Sequence, residues 1–442
     1  MNEYQKEFIK IFSYLKVTMN DYVEELLLKN NISNPFSKKK YQEYIEQLKV
    51  VKNDKEYIKL INDLLISIHS GHVYLTSKAT EIDNDIIPLI IQYYQKEYYI
   101  TFALDKKLIG KKITKINNEL IDSYIAKLNN SSYFDNNKLY LKQFIPKNEG
   151  TITLTIDNHE NIEINPVFKN IFFKEYLNTF KTHRNNISFE LKGNIPYLKI
   201  NSFNNNLVND EEKYILFNRV IYGSLNYLKA IAEYINNNNY EDLIIDIREN
   251  SGGSDKFFLY LGLFSDKNYI DSLKLKSNIG KIDISELNSF ISKEPENIDD
   301  SIQRLKSQDN TFYEIQKFIP DCNSTIKRRY LLIGDRNYST ADALAKLAKR
   351  TGFATLIGTK TSGDGEGITP YCFTSPILKQ NDISIVIPST FGNLKEFNTY
   401  PDIFIEEDLI NKYELNTSND YQLKKIIEEV NKRAISNDYT LN

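Results

Sequence analysis

Ser339 occupies a position in the sequence where a serine could act as a nucleophile. An apolar segment typical of a buried strand precedes it, and a segment typical of a helix begins at Thr340. The free N–H groups and the positive dipole end at a helix N-terminus stabilise a developing oxyanion. Ser339 followed by Asp342 three positions later is also the pattern of a helix capping box, which is the commoner use of such a serine.

Two adjacent glycines, Gly252 and Gly253, follow another short apolar segment at 243–247. Because glycine has no Cβ, both residues can direct their N–H groups into a cavity. This arrangement suits an oxyanion hole. A tight turn from a strand to a helix would use the same two residues.

A serine nucleophile also requires a base. The chain has four histidines: His69, His72, His159 and His183. His72 follows Gly71 in an otherwise apolar, strand-like segment, although a single histidine is more often structural. Glu396 precedes a Pro-Asp turn at 401–402 and is a candidate acid, although an isolated glutamate is usually a surface residue.

The elements that must position these residues follow from hydrophobic periodicity. Apolar positions recur at steps of three and four over residues 1–66, which predicts helices, and residues 86–166 predict a module of short strands. From about residue 190, strands and helices alternate, which predicts an α/β layer on a largely buried sheet. Within it we predict a helix at 220–235. The polar segment 266–328 is interpreted as an insertion or a helical excursion.

Composition and charge exclude several classes of function. Lys and Arg total 56 and Asp and Glu total 59, and this near-neutral balance argues against nucleic acid or an anionic membrane as the main partner. No segment approaches the roughly 18 apolar residues of a membrane span, and the N-terminus lacks the pattern of a signal peptide. We therefore expect a cytoplasmic protein. Cys322 and Cys372 are expected to be free thiols, without a disulfide framework or a metal site.

The order and spacing of the candidate segments are more specific than any one of them. The segments are Gly71-His72, 197–203, 246–253, 339–342, 356–363, and Glu396 with Pro401-Asp402. Across residues 67–405 the series resembles the tricorn-core or C-terminal-processing (tail-specific) family of serine peptidases. The resemblance is most specific in IDIRENSGG at 245–253 and LIGTKTSG at 356–363.

This resemblance implies an α/β fold with a crotonase/ClpP-like peptidase core. The segment LIGKKITKINNEL at 108–120 looks like a strand of the family's PDZ-type domain, with Asn118 where glycine is usual. We therefore expect an N-terminal helical region carrying the Gly-His segment at 1–84. A PDZ-like β-rich module is expected at 85–168, and the α/β peptidase core at 169–442.

The family has two catalytic branches, and Asp364 distinguishes them. In the Ser/Lys branch a lysine stands at this position and is the base. Because aspartate cannot replace that lysine and the Gly71-His72 segment is retained, the chain resembles the Ser-His-Glu branch, which includes tricorn. Two features depart from the usual pattern: Ser70 replaces an aspartate, and Glu396 lies one residue closer to the proline.

By this resemblance Ser339 attacks the scissile carbonyl, His72 transfers the proton and Glu396 orients His72. The backbone N–H of one glycine of the pair and that of Thr340 bind the oxyanion. The expected activity is that of a serine endopeptidase acting on an extended or C-terminal peptide, which the PDZ-like module holds. Such an assembly requires no metal and no cofactor, and a homo-oligomer is compatible with it.

Two other functions stay open from the sequence. A non-catalytic member of the same fold would bind a peptide or an apolar ligand, as the retinoid-binding repeats related to this family do. A crotonase-type acyl-CoA enzyme would use a similar oxyanion hole without a Ser-His pair. Labelling of Ser339 by a fluorophosphonate separates the peptidase from the binding protein, and loss of activity in His72→Ala separates it from the acyl-CoA enzyme.

Overall fold

The fold is known from a computed structural model. The residues that it describes are 1–30, 34–68, 70–77, 85–94, 97–128, 150–157, 160–168, 186–203, 211–254, 257–277, 311–318, 324–366, 369–392, 398–406 and 420–438. The chain divides into two compact units. The first comprises Met1–Leu177, Lys274–Phe312 and Gly367–Lys395, and the second comprises Asn178–Leu273, Tyr313–Glu366 and Glu396–Asn442.

Helices and strands are both abundant in the described residues, so the fold belongs to the mixed α/β class. In chain order the elements are α1 (Glu3–Asn30), α2 (Lys38–Leu48), α3 (Asp54–Ile66), β1 (Tyr74–Ser77), β2 (Asp85–Ile86), β3 (Leu89–Tyr94), β4 (Glu97–Ala103), β5 (Lys112–Ile116), β6 (Glu119–Leu120), α4 (Ile121–Leu128), β7 (Ile152–Ile156), β8 (Glu160–Ile164), β9 (Val167–Phe168), β10 (Ile187–Lys192), β11 (Ile195–Ile200), β12 (Lys213–Leu216), β13 (Arg219–Tyr222), α5 (Ser224–Asn237), β14 (Asp242–Asp246), α6 (Phe257–Leu261), β15 (Tyr269–Ser277), β16 (Thr311–Phe318), β17 (Arg328–Ile333), α7 (Thr340–Thr351), β18 (Thr355–Gly358), β19 (Thr369–Phe373), α8 (Pro376–Gln380), β20 (Ile383–Phe391), β21 (Ile403–Phe404) and α9 (Tyr421–Asp438). None of the described helices is long and apolar enough to cross a membrane.

The first unit begins with α1, α2 and α3, which confirms the helices predicted for residues 1–66. Ser37 and Asn53 cap α2 and α3 by accepting hydrogen bonds from N–H groups of the first turn. An antiparallel sheet with the order β3-β4-β5-β7-β8 follows. Side chains of this sheet and of α4 form a separate hydrophobic core that includes Ile100, Ile116 and Leu154. The β-rich character predicted for residues 86–166 is therefore confirmed.

The second unit is built on a sheet with the order β10-β11-β14-β17-β18-β21. Only the β10–β11 pair is antiparallel, and each later strand pairs in parallel with its neighbour. Along β14, Leu243 and Ile245 join a core cluster that includes residues of α5 and α7, whereas Ile244 joins a cluster that includes residues of α9. Both faces of the sheet are thus buried, which explains the continuous apolar runs of its strands.

One prediction about local structure is wrong. The helix predicted at 220–235 begins only at Ser224, because residues 219–222 form β13 and pair with β12. Phe217 and Asn218 both have positive φ, 43° and 72°, and make the two-residue turn of this hairpin. The described parts of the segment 266–328 include β15 and β16, whereas residues 278–310 and 319–323 lie outside the described residues, so its interpretation as an insertion or a helical excursion stays a prediction.

The central strands β14, β17 and β18 are neighbours and run in parallel. Their carboxyl ends therefore lie at one edge of the sheet, which is the usual location of sites in parallel α/β sheets. The loops that leave this edge are 247–254, 334–339 and 359–366. They contain the glycine pair, Ser339 and Asp364.

Arg248 anchors the first of these loops. Its guanidinium donates to both carboxylate oxygens of the buried Asp246, at 3.0 and 2.6 Å, and to Gln422 at 2.8 Å. It also donates to both carboxylate oxygens of Asp420, which in turn accepts a hydrogen bond from the N–H of Leu423 in α9. Arg248 thus ties the carboxyl end of β14 to the start of the C-terminal helix.

This arginine also determines the charge state of Asp246. Burial alone would raise the pKa of Asp246, but the charge and hydrogen bonds of Arg248 outweigh burial and lower it from 3.8 to about 2. The ionised carboxylate therefore stabilises the folded state above pH 4, and this contribution is lost as the pH falls towards 2. The difference corresponds to about 2 kcal/mol.

We predict that Arg248→Met lowers the free energy of unfolding by about 3–5 kcal/mol, because it leaves Asp246 buried without its partner. The matched control is Arg219→Met, which removes an exposed arginine and should change stability by less than about 0.5 kcal/mol. Urea unfolding followed by tyrosine fluorescence measures both. Similar values for the two variants would contradict the structural role of the buried arginine.

Candidate active site

The backbone of Ser339 is in an unusual conformation immediately before α7. Its φ is 54° and its ψ is −128°, a backbone conformation that residues other than glycine rarely adopt. Conformational strain of this kind typically costs about 1–3 kcal/mol. The side chain of Ser339 makes no capping hydrogen bond to the helix. The capping-box interpretation of Ser339 and Asp342 is therefore wrong, and the strained turn requires another explanation.

Neighbouring backbone groups hold this turn on both sides. The N–H of Ser339 donates to the carbonyl of Gly363 at 3.1 Å, and its carbonyl accepts from the N–H of Ala343 at 3.0 Å. Tyr338 and Gly363 also form an isolated parallel bridge. The loop after β18 therefore supports the turn that carries Ser339.

The glycine pair packs directly against the same turn. A Cβ at position 252 would lie 2.8 Å from the carbonyl oxygen of Tyr338 and 3.0 Å from the Cβ of Ser339. Gly252 also has φ of 112°, so both the space and the backbone require glycine. The hydroxyl of Thr340 donates to the carbonyl of Gly253 at 2.7 Å. The second unit thus brings together Gly252, Gly253, Ser339 and Thr340.

The two glycines differ in what their N–H groups can bind. The N–H of Gly252 donates to the side-chain oxygen of Asn250 at 2.9 Å. Among the described residues, the N–H groups of Gly253 and Thr340 have no such acceptor. Thr340 directly follows Ser339, and its hydroxyl bonds to Gly253, so both residues lie at the Ser339 turn.

Two buried asparagines join the loops, and neither was predicted from the sequence to have a role. The side chain of Asn337 donates to the carbonyls of Ile247 and Asn250, the latter at 3.0 Å. Asn250 donates to the carbonyl of Ile200 at 3.2 Å. Both residues follow buried strands in loops that also contain candidate site residues. An amide at such a position is the signal by which they could have been found.

Asp364 is the residue predicted from the sequence to stand where the other branch has its lysine base. Its backbone has φ of 58°, its side chain is buried, and its carboxylate accepts a hydrogen bond from the hydroxyl of Tyr338 at 2.6 Å. A carboxylate held in this way binds the residue that precedes Ser339. It supplies no amine at this position.

The other predicted site residues lie elsewhere in the chain. His72 belongs to the first unit, in the turn before β1, where its N–H donates to the hydroxyl of Ser70 at 3.1 Å. Ser70 also accepts from the hydroxyl of Tyr22, so it organises this turn in place of the usual aspartate. Glu396 lies outside the described residues, as do the remaining three histidines, His69, His159 and His183.

Metal-ligating side chains do not cluster in the part of the chain that the structure describes. It contains no group of three or more His, Cys, Asp or Glu residues arranged to hold a metal ion. Cys372 is an exposed free thiol, as expected, and Cys322 lies outside the described residues.

Residues 194–381 match the family model described as Peptidase family S41. This match covers less than half of the chain and shows a peptidase S41 domain over residues 194–381. The domain indicates a serine-type peptidase, a class whose substrates are peptides or proteins. The segment that matches the S41 model contains the glycine pair, Ser339 and Thr340, and it includes neither His72 nor Glu396.

Solved structures share the fold of this chain. Mature CPAF superposes with a TM-score of 0.63 at 13% identity, covering 92% of this chain and 94% of that chain. Mature CPAF complexed with lactacystin gives a TM-score of 0.61 at 12% identity, covering 96% and 98%. Identities this low show a common fold and nothing further. No curated protein has a matching sequence.

We predict that Gly252→Ala slows labelling of Ser339 by a fluorophosphonate by about 100-fold, because its Cβ displaces the Ser339 turn from the N–H donors. Gly352→Ala is the matched control, since Gly352 also has positive φ but a Cβ added there would meet no heavy atom within 4 Å. This control should lose about 1 kcal/mol of stability and label normally. Equal labelling rates in the two variants would contradict the close-packing argument.

We also predict that Ser339→Gly is more stable than Ser339→Ala by about 1 kcal/mol, because glycine adopts φ of 54° without strain. Neither variant should react with a fluorophosphonate. Urea unfolding of the two proteins measures the difference. An alanine variant as stable as the glycine variant would show that this turn stores no strain.

Proposed function

We propose that this protein hydrolyses bonds within an extended or C-terminal peptide segment through a Ser339-His72-Glu396 triad. In this mechanism Ser339 is the nucleophile, His72 the base and Glu396 the residue that orients His72. The observation that carries the proposal is the Ser339 turn, which is strained, does not cap α7 and packs against Gly252. Strain of this kind is characteristic of functional sites.

The chemistry proceeds in two steps. The Oγ of Ser339 attacks the scissile carbonyl while His72 takes its proton, and the oxyanion of the tetrahedral intermediate binds the N–H groups of Gly253 and Thr340. His72 then protonates the leaving amine, which departs as the first product. Water, deprotonated by His72, hydrolyses the acyl-enzyme and regenerates Ser339. Each N–H donor contributes about 3 kcal/mol to such a step.

The finer features of the fold belong to the same proposal. The largely parallel sheet of the second unit would form the crotonase/ClpP-like core, and the β-sheet with its own hydrophobic core within residues 85–168 would form the PDZ-like module. An extended peptide would add as a strand near Ser339, and the PDZ-like module would hold its end. The division into 1–84, 85–168 and 169–442 stays a prediction.

The test is the rate of labelling by a fluorophosphonate probe. Wild type should be labelled and Ser339→Ala should not, while His72→Ala and Glu396→Gln should label about 100-fold or more slowly, as general-base catalysis requires. The matched control is Ser254→Ala, which removes an exposed serine from the loop after β14. This control should be labelled like the wild type.

Three outcomes would contradict the proposal. An unlabelled wild type, with a control serine hydrolase reacting, favours a non-catalytic protein that binds a peptide or an apolar ligand. Full labelling of His72→Ala would remove His72 as the base and favour chemistry without a Ser-His pair. Full labelling of Glu396→Gln would remove only the third member of the triad.

A further inference from the structure

Asp342, in the first turn of α7, has a fully buried carboxylate that accepts hydrogen bonds from four donors. Its Oδ1 accepts from the hydroxyls of Thr361 and Thr399, the latter at 2.7 Å. Its Oδ2 accepts from the N–H of Gly365 at 3.2 Å and lies 2.8 Å from the ammonium of Lys346, which is only 5% exposed. The hydrogen-bond acceptor capacity of this carboxylate is thus taken up by groups from α7, from the loop after β18 and from Thr399.

The two threonines are also bonded to each other. The N–H of Thr399 donates to the hydroxyl of Thr361 at 2.7 Å, and the N–H of Thr361 donates to the carbonyl of Thr399 at 2.9 Å. The side chain of Asn398 donates to the carbonyl of Thr361 at 2.7 Å. Residues 398–399 are thereby attached to the loop after β18 and, through Asp342, to α7.

Gly365 shows how tightly this loop approaches the Ser339 turn. A Cβ at position 365 would lie 2.3 Å from the N–H nitrogen of Ala343 and 2.6 Å from the carbonyl oxygen of Ser339. No side chain other than hydrogen fits there. At this close contact with the backbone of Ser339, the N–H of Gly365 donates to Asp342.

A buried Asp-Lys pair contributes little net stability, because desolvation offsets much of the attraction between the charges. An apolar pair of similar volume would serve stability as well. The carboxylate differs from an apolar residue because its hydrogen bonds are directional: hydroxyl and N–H donors must meet its oxygens at defined angles. This is the requirement of a residue that sets the position of a neighbouring segment.

Thr399 follows Glu396 by three positions in the sequence. We propose that Asp342 is a positioning residue that, through the hydroxyl of Thr399, fixes the segment following Glu396 relative to the Ser339 turn. The inference rests on the proposed Ser339-His72-Glu396 triad and adds a connection within it. The same helix turn would then support the nucleophile and locate the acid.

The test compares Thr399→Val, which removes the hydroxyl at nearly constant volume, with Thr399→Ser, which keeps it. Saturation labelling with a fluorophosphonate gives the maximal inactivation rate and the apparent binding constant of the probe. Thr399→Val should lower the rate by about 10- to 100-fold, the effect of a small misplacement of a catalytic group. Its binding constant should not change, and Thr399→Ser should stay within about threefold of wild type, since it keeps the donor to Asp342.

A double-variant cycle separates positioning from general destabilisation. If Thr399 acts through Glu396, then Glu396→Gln with Thr399→Val should label no more slowly than Glu396→Gln alone, because the second change has nothing left to misplace. The matched control is Thr325→Val, which removes a hydroxyl that donates to the carbonyl of Tyr240 at 2.9 Å in the same unit. It should lower stability by a similar amount and leave labelling unchanged.

The outcomes distinguish this inference from the proposed function. Thr399→Val labelling at the wild-type rate, or its effect multiplying with that of Glu396→Gln, would overturn the positioning role while leaving the triad in place. A slowed Thr325→Val would overturn it too, because loss of any buried hydroxyl would then explain the result. Glu396→Gln labelling at the full rate, with Ser339→Ala unlabelled, would overturn the acid of the triad and the inference together.

Discussion

The backbone of Ser339, held at φ of 54°, is the constraint on which the rest of the site depends. A serine leaves this conformation unless its surroundings oppose the change, because the alternative relieves about 1–3 kcal/mol of strain. The opposition comes from the hydrogen bond to Gly363, the bond from Ala343 and the close contact with Gly252. These contacts hold the backbone of Ser339 and the start of α7 in fixed positions.

The parallel sheet makes these contacts available, and buried polar side chains join them. Three adjacent strands deliver three loops to one edge. The side chain of Asn337 bonds to the first of these loops, and Asp342 at the start of α7 bonds to the third. A buried polar group without a partner costs free energy, so each such residue disfavours every arrangement except the one that satisfies it. Apolar packing alone would tolerate small shifts between the loops, whereas directed bonds do not.

Sequence patterns were reliable where periodicity was strong and the ends were marked. The helix at α7 follows from its periodic apolar positions, and the strand β14 follows from its continuous apolar run. The predicted helix at 220–235 was wrong at its start, since the turn at Phe217-Asn218 contains no glycine or proline to mark it. The strand β15 was not predicted, because the segment 266–328 that contains it is polar and was interpreted as an insertion or a helical excursion.

The sequence by itself indicated the resemblance to a serine-peptidase family, the nucleophile candidate, the glycine pair and the aspartate at position 364, because these depend on residue type and order. Only the tertiary structure decided that Ser339 does not cap its helix, that the N–H of Gly252 is bound to Asn250, and that Asp342 binds Thr361 and Thr399. The physical reason is that a donor pairs with an acceptor only at a suitable distance and angle. Acceptors far away in sequence come within reach only when the sheet brings the loops together.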